Sequence, residues 1–363
     1  MISDNLKVSI ITVSYNSADT IEQTIQSVLN QTYKNIEYII IDGQSTDGTV
    51  NVVRKYERFI DCFVSESDNG IYDAMNKGIT HATGDIIGIL NSDDWYEEEA
   101  VAMVVRCFRD RDAELVYGKK WVVNKNGKRK CHNKQPLEHI WHTPVVPHST
   151  VFVKREIYIK YGVFDTKYKI AADYELILRF YAEGVKFEYI DEMISNFRSS
   201  GISSVNCIQS ADEAKKVALS YIDKCPDKEF ALNQIERNCG MAKLRFAMER
   251  KPNSVCDFLK KIFPNIEEGI VIFGTGIWGE RLYGAMSVGN IFVRMFVDNN
   301  SSKWNTELNG VMIQGLEKLR DYKGYVIVAV KNCALEICEQ LAELRNNEMK
   351  WITLDEIQEH ITI

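Results

Sequence analysis

Asn91-Ser92-Asp93-Asp94 carries the side chains of this sequence best suited to chemistry. Two adjacent carboxylates follow the apolar run Ile86-Ile87-Gly88-Ile89-Leu90, which reads as a buried strand, and so would stand at its C-terminal end. Oxygen ligands there make a hard site suited to Mg²⁺ or Mn²⁺ carrying a diphosphate. An acidic pair in a turn is also common without any metal. A third carboxylate, Asp173, lies in Ala171-Ala172-Asp173-Tyr174-Glu175, ahead of Leu176, Ile177, Leu178 and Phe180. That places it in the first turn of a largely buried helix, where the dipole favours negative charge and capping is the plain structural role. His132, His139, His142 and His148 gather near Cys131. Their spacing matches no finger or Glu-containing zinc motif, so zinc is not expected.

The elements that must position these groups follow from periodicity. Lys7 to Val13 reads as a buried parallel strand, broken at Ser14-Tyr15-Asn16-Ser17. Ser17 or Asp19 can cap the next helix, whose Ile21, Ile25, Val28 and Leu29 share one face. Glu37 to Ile41 is a second strand, ending in Asp42-Gly43-Gln44-Ser45-Thr46-Asp47-Gly48. A second helix, a short strand around Cys62 to Ser65, a helix from about Ile71 and a strand from Asp85 to Leu90 complete the series. Such alternation predicts an α/β, parallel, doubly wound sheet with ligands at the strand C-terminal ends. Ser14-Tyr15-Asn16, Asp42 and Asp93 would all arrive on that edge.

Four ordered blocks resemble the family 2 glycosyltransferases, whose catalytic domain has the nucleotide-sugar-binding GT-A fold. They are Ser-Ile-Ile-Thr-Val-Ser-Tyr-Asn (9–16), Ile-Asp-Gly-Gln-Ser-Thr-Asp-Gly-Thr (41–49), Ser-Asp-Asn-Gly-Ile-Tyr-Asp-Ala-Met-Asn-Lys-Gly (67–78) and Leu-Asn-Ser-Asp-Asp-Trp (90–95). The resemblance runs over roughly the first 200 residues. It implies a donor site of Ser14, Tyr15, Asn16, Asp42, Asp68, Lys77, Ser92 and Asp93, with Asp42 toward the base or ribose. Asp42 as a turn-former before Gly43, Asp47 as a helix cap and Lys77 as a solvated helix residue are the competing structural roles. Asp93 matches the metal-binding end of the family's Asp-x-Asp motif. Asn91 replaces its first acid, which puts metal affinity in question. The resemblance further implies a Mn²⁺ or Mg²⁺ site at Asp93 and Asp94, with His148 on metal or phosphate. It makes Asp173 the general base, with Glu175 as alternative, in an inverting transfer. Arg179 and Arg198 read equally as phosphate contacts or structural pairs. No Gln-x-x-Arg-Trp motif of the processive members occurs, so single-sugar addition is expected.

Gln209 to about Phe263 reads as helices, with Ala214, Val217, Ala218 and Tyr221 on one face and Pro226, Pro252 and Pro264 as punctuation. Lys215-Lys216, Lys243-Arg245 and Lys260-Lys261 leave a membrane-surface or docking role open. Ile270 to Phe273 then leads into Gly274-Thr275-Gly276-Ile277-Trp278-Gly279, and Asp298 follows where a second strand would end. This is the context of a Rossmann-like unit. It resembles the nucleotide-binding modules beside sugar-modifying enzymes and would serve either as a ligand loop (Gly274, Gly276, Gly279, Asp298) or as a scaffold for oligomerisation. The expected organisation is therefore a GT-A domain (1–205), a helical connector (206–265) and a small C-terminal Rossmann-like domain (266–363).

The 363 residues suit two domains, and 45% hydrophobic content is enough for real cores. A net charge of −7 argues against nucleic acid as a partner. No apolar run approaches the ~20 residues of a membrane span. Met1-Ile2-Ser3-Asp4 lacks signal-peptide character, and nine irregularly spaced cysteines suit reduced thiols in the cytoplasm. The expectation is a metal-dependent transferase moving one sugar from a UDP-linked donor to a saccharide or lipid-linked saccharide acceptor. That is surface-polysaccharide or glycolipid chemistry, with peripheral contact at the inner membrane face. The rivals are a non-catalytic nucleotide-sugar-binding scaffold and an NAD-linked oxidoreductase using the C-terminal turn.

Overall fold

The structure is a computed structural model that describes residues 5–124, 126–132, 134–199, 206–344 and 347–361. The Met1–Asp4 start and the 205/206 boundary considered above fall on or beside residues outside that set. The chain divides into two compact units, Met1–Ile235 and Glu236–Ile363.

In the first unit β1 (Val8–Ser14), β2 (Ile36–Asp42), β3 (Cys62–Ser65) and β4 (Ile86–Asn91) are parallel and lie in the order β3-β2-β1-β4. All seven residues of β1 are buried, because both faces of the sheet are covered. Its side chains alternate between two cores: Ile11 and Val13 join Ile39, Ile41, Ile87 and Ile89, while Val8 and Ile10 join Ile40, Ile86 and Leu90. The helices α1 (Ile21–Leu29), α2 (Thr49–Arg54) and α3 (Ile71–His81) cross over between these strands. Strand order reverses between β1 and β4, the position at which such sheets open a crevice. Register sets Ser14 beside Asp42, Asp42 beside Ser65, and Val13 beside Asn91 on that edge.

The rest of the sheet is mixed. β5 (Trp95–Tyr96) precedes α4 (Ala100–Asp110) and the long β6 (Leu115–Val123). β7 (Arg129–Cys131) folds back on β6 through a turn in which Gly127 takes φ 75°. β8 (Phe152–Lys154) pairs antiparallel to β4, with the Phe152 ring filling the space that a side chain at Gly88 would need. After α5 (Arg155–Tyr161) and α6 (Ala172–Ala182), β9 (Phe187–Arg198) runs parallel to β6 and antiparallel to β5. Ser195 is thereby in register with Lys120 on one side and Tyr96 on the other.

The helices 206–265 divide between the units. α7 (Cys207–Ser220) buries Val217 and Ala218 in the first core, with Ala214 and Tyr221 packed against it. α8 (Lys228–Arg250) contains the division, and α9 (Pro252–Ile262) buries Val255, Cys256 and Leu259 in the second unit. That unit's sheet has β10 (Ile270–Phe273), β11 (Val293–Val297), β12 (Glu307–Leu308), β13 (Val311–Gln314), β14 (Gly324–Val328) and β15 (Met349–Thr353), ordered β12-β13-β11-β10-β14-β15. All its pairings are parallel except β12 with β13. The helix α10 (Ile277–Val288) follows the glycine-rich turn.

Candidate active site

The edge at β1 and β2 is built by side-chain-to-loop hydrogen bonds. Asn16 takes φ 48°, a left-handed conformation that Asn tolerates. Its N–H donates to Ser45 Oγ (2.8 Å) and its Oδ1 accepts from Thr46 N–H (2.9 Å), clamping the two loops together. Asp42 is fully buried, with its carboxylate directed inward. It accepts from Ser14 Oγ (3.0 Å), Ser45 Oγ (2.5 Å), Ser45 N–H (2.9 Å) and Ser65 Oγ (2.7 Å). The protein itself therefore satisfies this carboxylate, and Asp42 shapes the loop from beneath. Asp47 accepts from Thr49 and from Ala18 N–H (3.0 Å), the capping and tying role.

Above that base, Tyr15 is 65% exposed, an aromatic ring left at the mouth of a parallel sheet. A Cβ on Gly43 would stand 2.5 Å from Asp68 Oδ2 and 3.4 Å from the Tyr15 ring, so Tyr15 and Asp68 close over Gly43. Asp68 Oδ1 accepts from Gly70 N–H (2.9 Å), just ahead of α3. Lys77, by contrast, is engaged with Glu66 (2.8 Å) and the Ser67 carbonyl (2.9 Å).

The acidic turn is held from two sides. Thr24 of α1 donates its hydroxyl to the carbonyls of Ser92 (3.0 Å) and Asp94 (2.7 Å), and Ser92 Oγ donates to Ser17 Oγ (2.7 Å). Arg198 donates N–H to Asp94 Oδ1 (3.0 Å) and Nε–H to the Asp93 carbonyl (2.8 Å), while its guanidinium lies 4.8 Å from the Trp95 ring. Burial pushes the Asp93 carboxyl above the usual range, against the opposing pull of Arg198. Burial, and then the Asp93 charge, push Asp94 up strongly. Among the described residues, two buried oxygens here, Asn91 Oδ1 and Asp94 Oδ2, have no hydrogen-bond partner. Buried polar atoms are ordinarily satisfied, which sets these two apart.

Asp173 occupies the first turn of α6. Oδ1 accepts from Tyr174 N–H (2.9 Å) and faces the Tyr72 hydroxyl (3.2 Å), which donates more closely to the Ile170 carbonyl (2.7 Å). Oδ2 has no hydrogen bond among the described residues. Tyr72 lies in α3, directly after the 67–70 loop, and so links that loop to Asp173. Glu175 faces away: it is buried, paired with Arg179 (2.9 Å) and hydrogen-bonded by Tyr221 (2.6 Å). Arg179 also donates to the carbonyls of Tyr161 and Val163, so it is structural here.

Three residues near Asp173 complete the geometry. His148 stacks edge-on against Phe164 (5.8 Å between centroids). Burial lowers its pKa, and the Asp173 charge opposes. Two others were not singled out in the sequence. Glu213 of α7, itself buried, accepts the N–H groups of Ile170 (2.8 Å) and Ala171 (3.1 Å), fixing the entry to α6. Lys120 of β6 has its ammonium 4.1 Å from the Phe197 ring centroid. The sequence carried no signal for Glu213 or for Lys120. His139 and His142 lie in contact, 5.2 Å between rings, yet no cluster of three His, Cys, Asp or Glu that could hold a metal exists among the described residues.

The edge of the second sheet differs. Asp298 accepts from Thr275 N–H (3.2 Å), Thr275 Oγ, Lys303 Nζ (3.0 Å) and Asn300 N–H (2.9 Å). Gly274 takes φ 108°, and a Cβ at Gly279 would collide with the Gly274 carbonyl, so both glycines are required by packing alone. Open space remains at Gly276.

Fold and edge together define an α/β protein with a GT-A-like first sheet. Residues 9–170 match the family described as Glycosyl transferase family 2, and residues 266–352 match one described as C2185-like, N-terminal. The chain is 36% identical over 177 residues to the uncharacterized glycosyltransferase MT1564 of Mycobacterium tuberculosis (strain CDC 1551 / Oshkosh), covering 47% of this chain and 68% of the relative. It is 26% identical over 220 residues to the PGL/p-HBAD biosynthesis glycosyltransferase of Mycobacterium bovis (strain BCG / Pasteur 1173P2), covering 58% and 84%. The crystal structure of S. aureus TarS 1–349 shares the fold, with a TM-score of 0.51 at 17% identity over 70% of this chain and 80% of that one. This chain belongs to glycosyl transferase family 2.

Proposed function

We propose that the chain transfers a single sugar, with inversion at the anomeric carbon, from a UDP-linked donor to a saccharide or lipid-linked saccharide acceptor in surface-polysaccharide or glycolipid assembly. The observation that carries this reading is the Asp173 carboxylate. One oxygen is held by its own helix and Tyr72, and the other is unengaged among the described residues. Oδ2 would take the acceptor hydroxyl proton as that oxygen bonds to the sugar C1. The bond from C1 to the diphosphate breaks on the opposite face, and the nucleoside diphosphate departs. Proton removal of this kind contributes typically ~10²–10⁴ in rate.

Tyr15 offers a stacking face for the base, with Asp68 beside it, while Ser14, Asn16 and Asp42 hold the loops that form its floor. Mg²⁺ and Mn²⁺ on diphosphates are ordinarily held by one or two carboxylates, phosphate oxygens and water completing the shell. Asp93, with the orphaned Asn91 Oδ1 and Asp94 Oδ2, fits that pattern. A divalent ion there would set positive charge against the charge developing on the leaving diphosphate. A lipid-linked acceptor would put the enzyme at the cytoplasmic face of a membrane; no helix among the described residues is long and apolar enough to cross one.

Calorimetric titration of the intact chain with UDP, with and without Mn²⁺, tests the reading. Metal-enhanced micromolar binding is expected. Binding without donor hydrolysis or transfer would leave the nucleotide-sugar-binding scaffold, the alternative that Asn91 favours; absence of binding to UDP, GDP, dTDP and CMP alike would overturn the reading.

A further inference from the structure

Lys120 is a charged side chain whose ammonium lacks a protein partner. Among the described residues its Nζ makes no hydrogen bond or ion pair, and its recorded contact is the Phe197 ring at 4.1 Å. A half-buried ammonium is ordinarily paired, since leaving water without compensation is costly. Its place in the sheet is fixed. Lys120 is in register with Ser195, Ser195 with Tyr96, and Phe197 precedes the Arg198 N–H that binds Asp94. Its own carbonyl accepts from His132 N–H (3.0 Å), pinning the backbone. Burial lowers the ammonium pKa, while Asp94 and Asp173 both act to raise it, so the group lies within electrostatic reach of both carboxylates. Neither comes close enough to pair with it.

We propose that Lys120 is a further binding residue of the transfer site, donating to the β-phosphate of the donor and carrying positive charge that Asn91 does not help a metal to supply. The inference rests on the transferase reading and deepens it. With an amide in place of the first acid of the turn, a metal at Asp93 has one fewer anionic ligand. A lysine on the facing strand can stabilise the departing diphosphate directly, as a point charge needing no coordination geometry.

The test compares UDP with UMP, which differ by the β-phosphate, on the full chain and its Lys120→Met and Lys120→Arg variants. Lys120→Met is expected to lose about ten- to a hundredfold of UDP affinity, the range of one charge-assisted hydrogen bond, while UMP affinity stays at the parent value. Lys120→Arg should recover most of the loss. Mn²⁺ should matter more to UDP binding in Lys120→Met than in the parent. An unchanged UDP-to-UMP preference in Lys120→Met, in a chain whose parent binds UDP, overturns the proposal alone. Equal loss of both nucleotides would assign Lys120 a structural role and overturn it too. A parent that binds neither nucleotide overturns the transferase reading, and this inference with it.

Discussion

The two sheets end their parallel strands in similar ways, with polar turns, glycines and an aspartate, yet they treat those polar groups oppositely. On the first edge Asn91 Oδ1 and Asp94 Oδ2 are buried without partners, Asp173 Oδ2 is unengaged and Tyr15 is exposed. On the second, Asp298 is taken up by Thr275, Lys303 and Asn300. A parallel sheet brings strand ends together in either case. On the first edge some polar groups are left without a partner among the described residues, while the aspartate of the second is held by its own loop.

The comparison can be broken most decisively at Asp173. Asp173→Asn should lower transfer by about 10²–10⁴ while UDP affinity stays within about twofold, read by UDP release and calorimetry. Lost nucleotide binding in the folded variant would move Asp173 from base to donor contact. On the other edge, Gly279→Ala must push against the Gly274 carbonyl and should cost about 1–3 kcal/mol in denaturant unfolding of the second unit. Transfer activity under native conditions should be unaffected; a parallel fall in kcat would show that the second edge serves the reaction.

Acid should strain the first sheet through Glu37. Burial alone would raise its pKa, but Lys7, Ser9 and Thr83 outweigh that and hold it at about 2, against an ordinary 4.5. A carboxyl depressed on folding stabilises the native state fully above about pH 4.5, and that share is lost as pH falls toward 2. The contribution is about 3 kcal/mol by linkage. Glu37→Gln should flatten the acid limb of a stability–pH curve; an unchanged limb would place acid sensitivity elsewhere. The smallest effect is expected at Glu213→Gln. One backbone N–H keeps an acceptor, so kcat should fall only several-fold, about 1 kcal/mol, with UDP affinity unchanged. Equal losses in kcat and UDP affinity would mean that Glu213 supports the donor loops rather than Asp173.

Much of this was legible in the residues. The Val- and Ile-rich runs 8–13 and 86–90 alternate between two cores, and that pattern alone predicts parallel strands buried on both faces. The helix face of Ala214, Val217, Ala218 and Tyr221 packs as its spacing predicts. Less legible was which polar groups look outward. Asp42 ends β2 and Asp68 follows β3, yet the first is enclosed by three serines and the second stands beside Tyr15. Lys77 is drawn to Glu66, and Glu175 to Arg179 and Tyr221.

By itself the sequence determined the order of strands and helices, the placement of the acidic turn and Asp173 at element ends, and the family. These depend on local periodicity and on residue types at short spacing. Tertiary structure alone decided that Lys119 pairs with Asp191 while Lys120 lies against the Phe197 ring. It also decided that Glu213, 40 residues beyond Asp173, fixes the entry to α6. Both depend on which long-range partner satisfies a buried charge, and that is set by packing between segments distant in the chain.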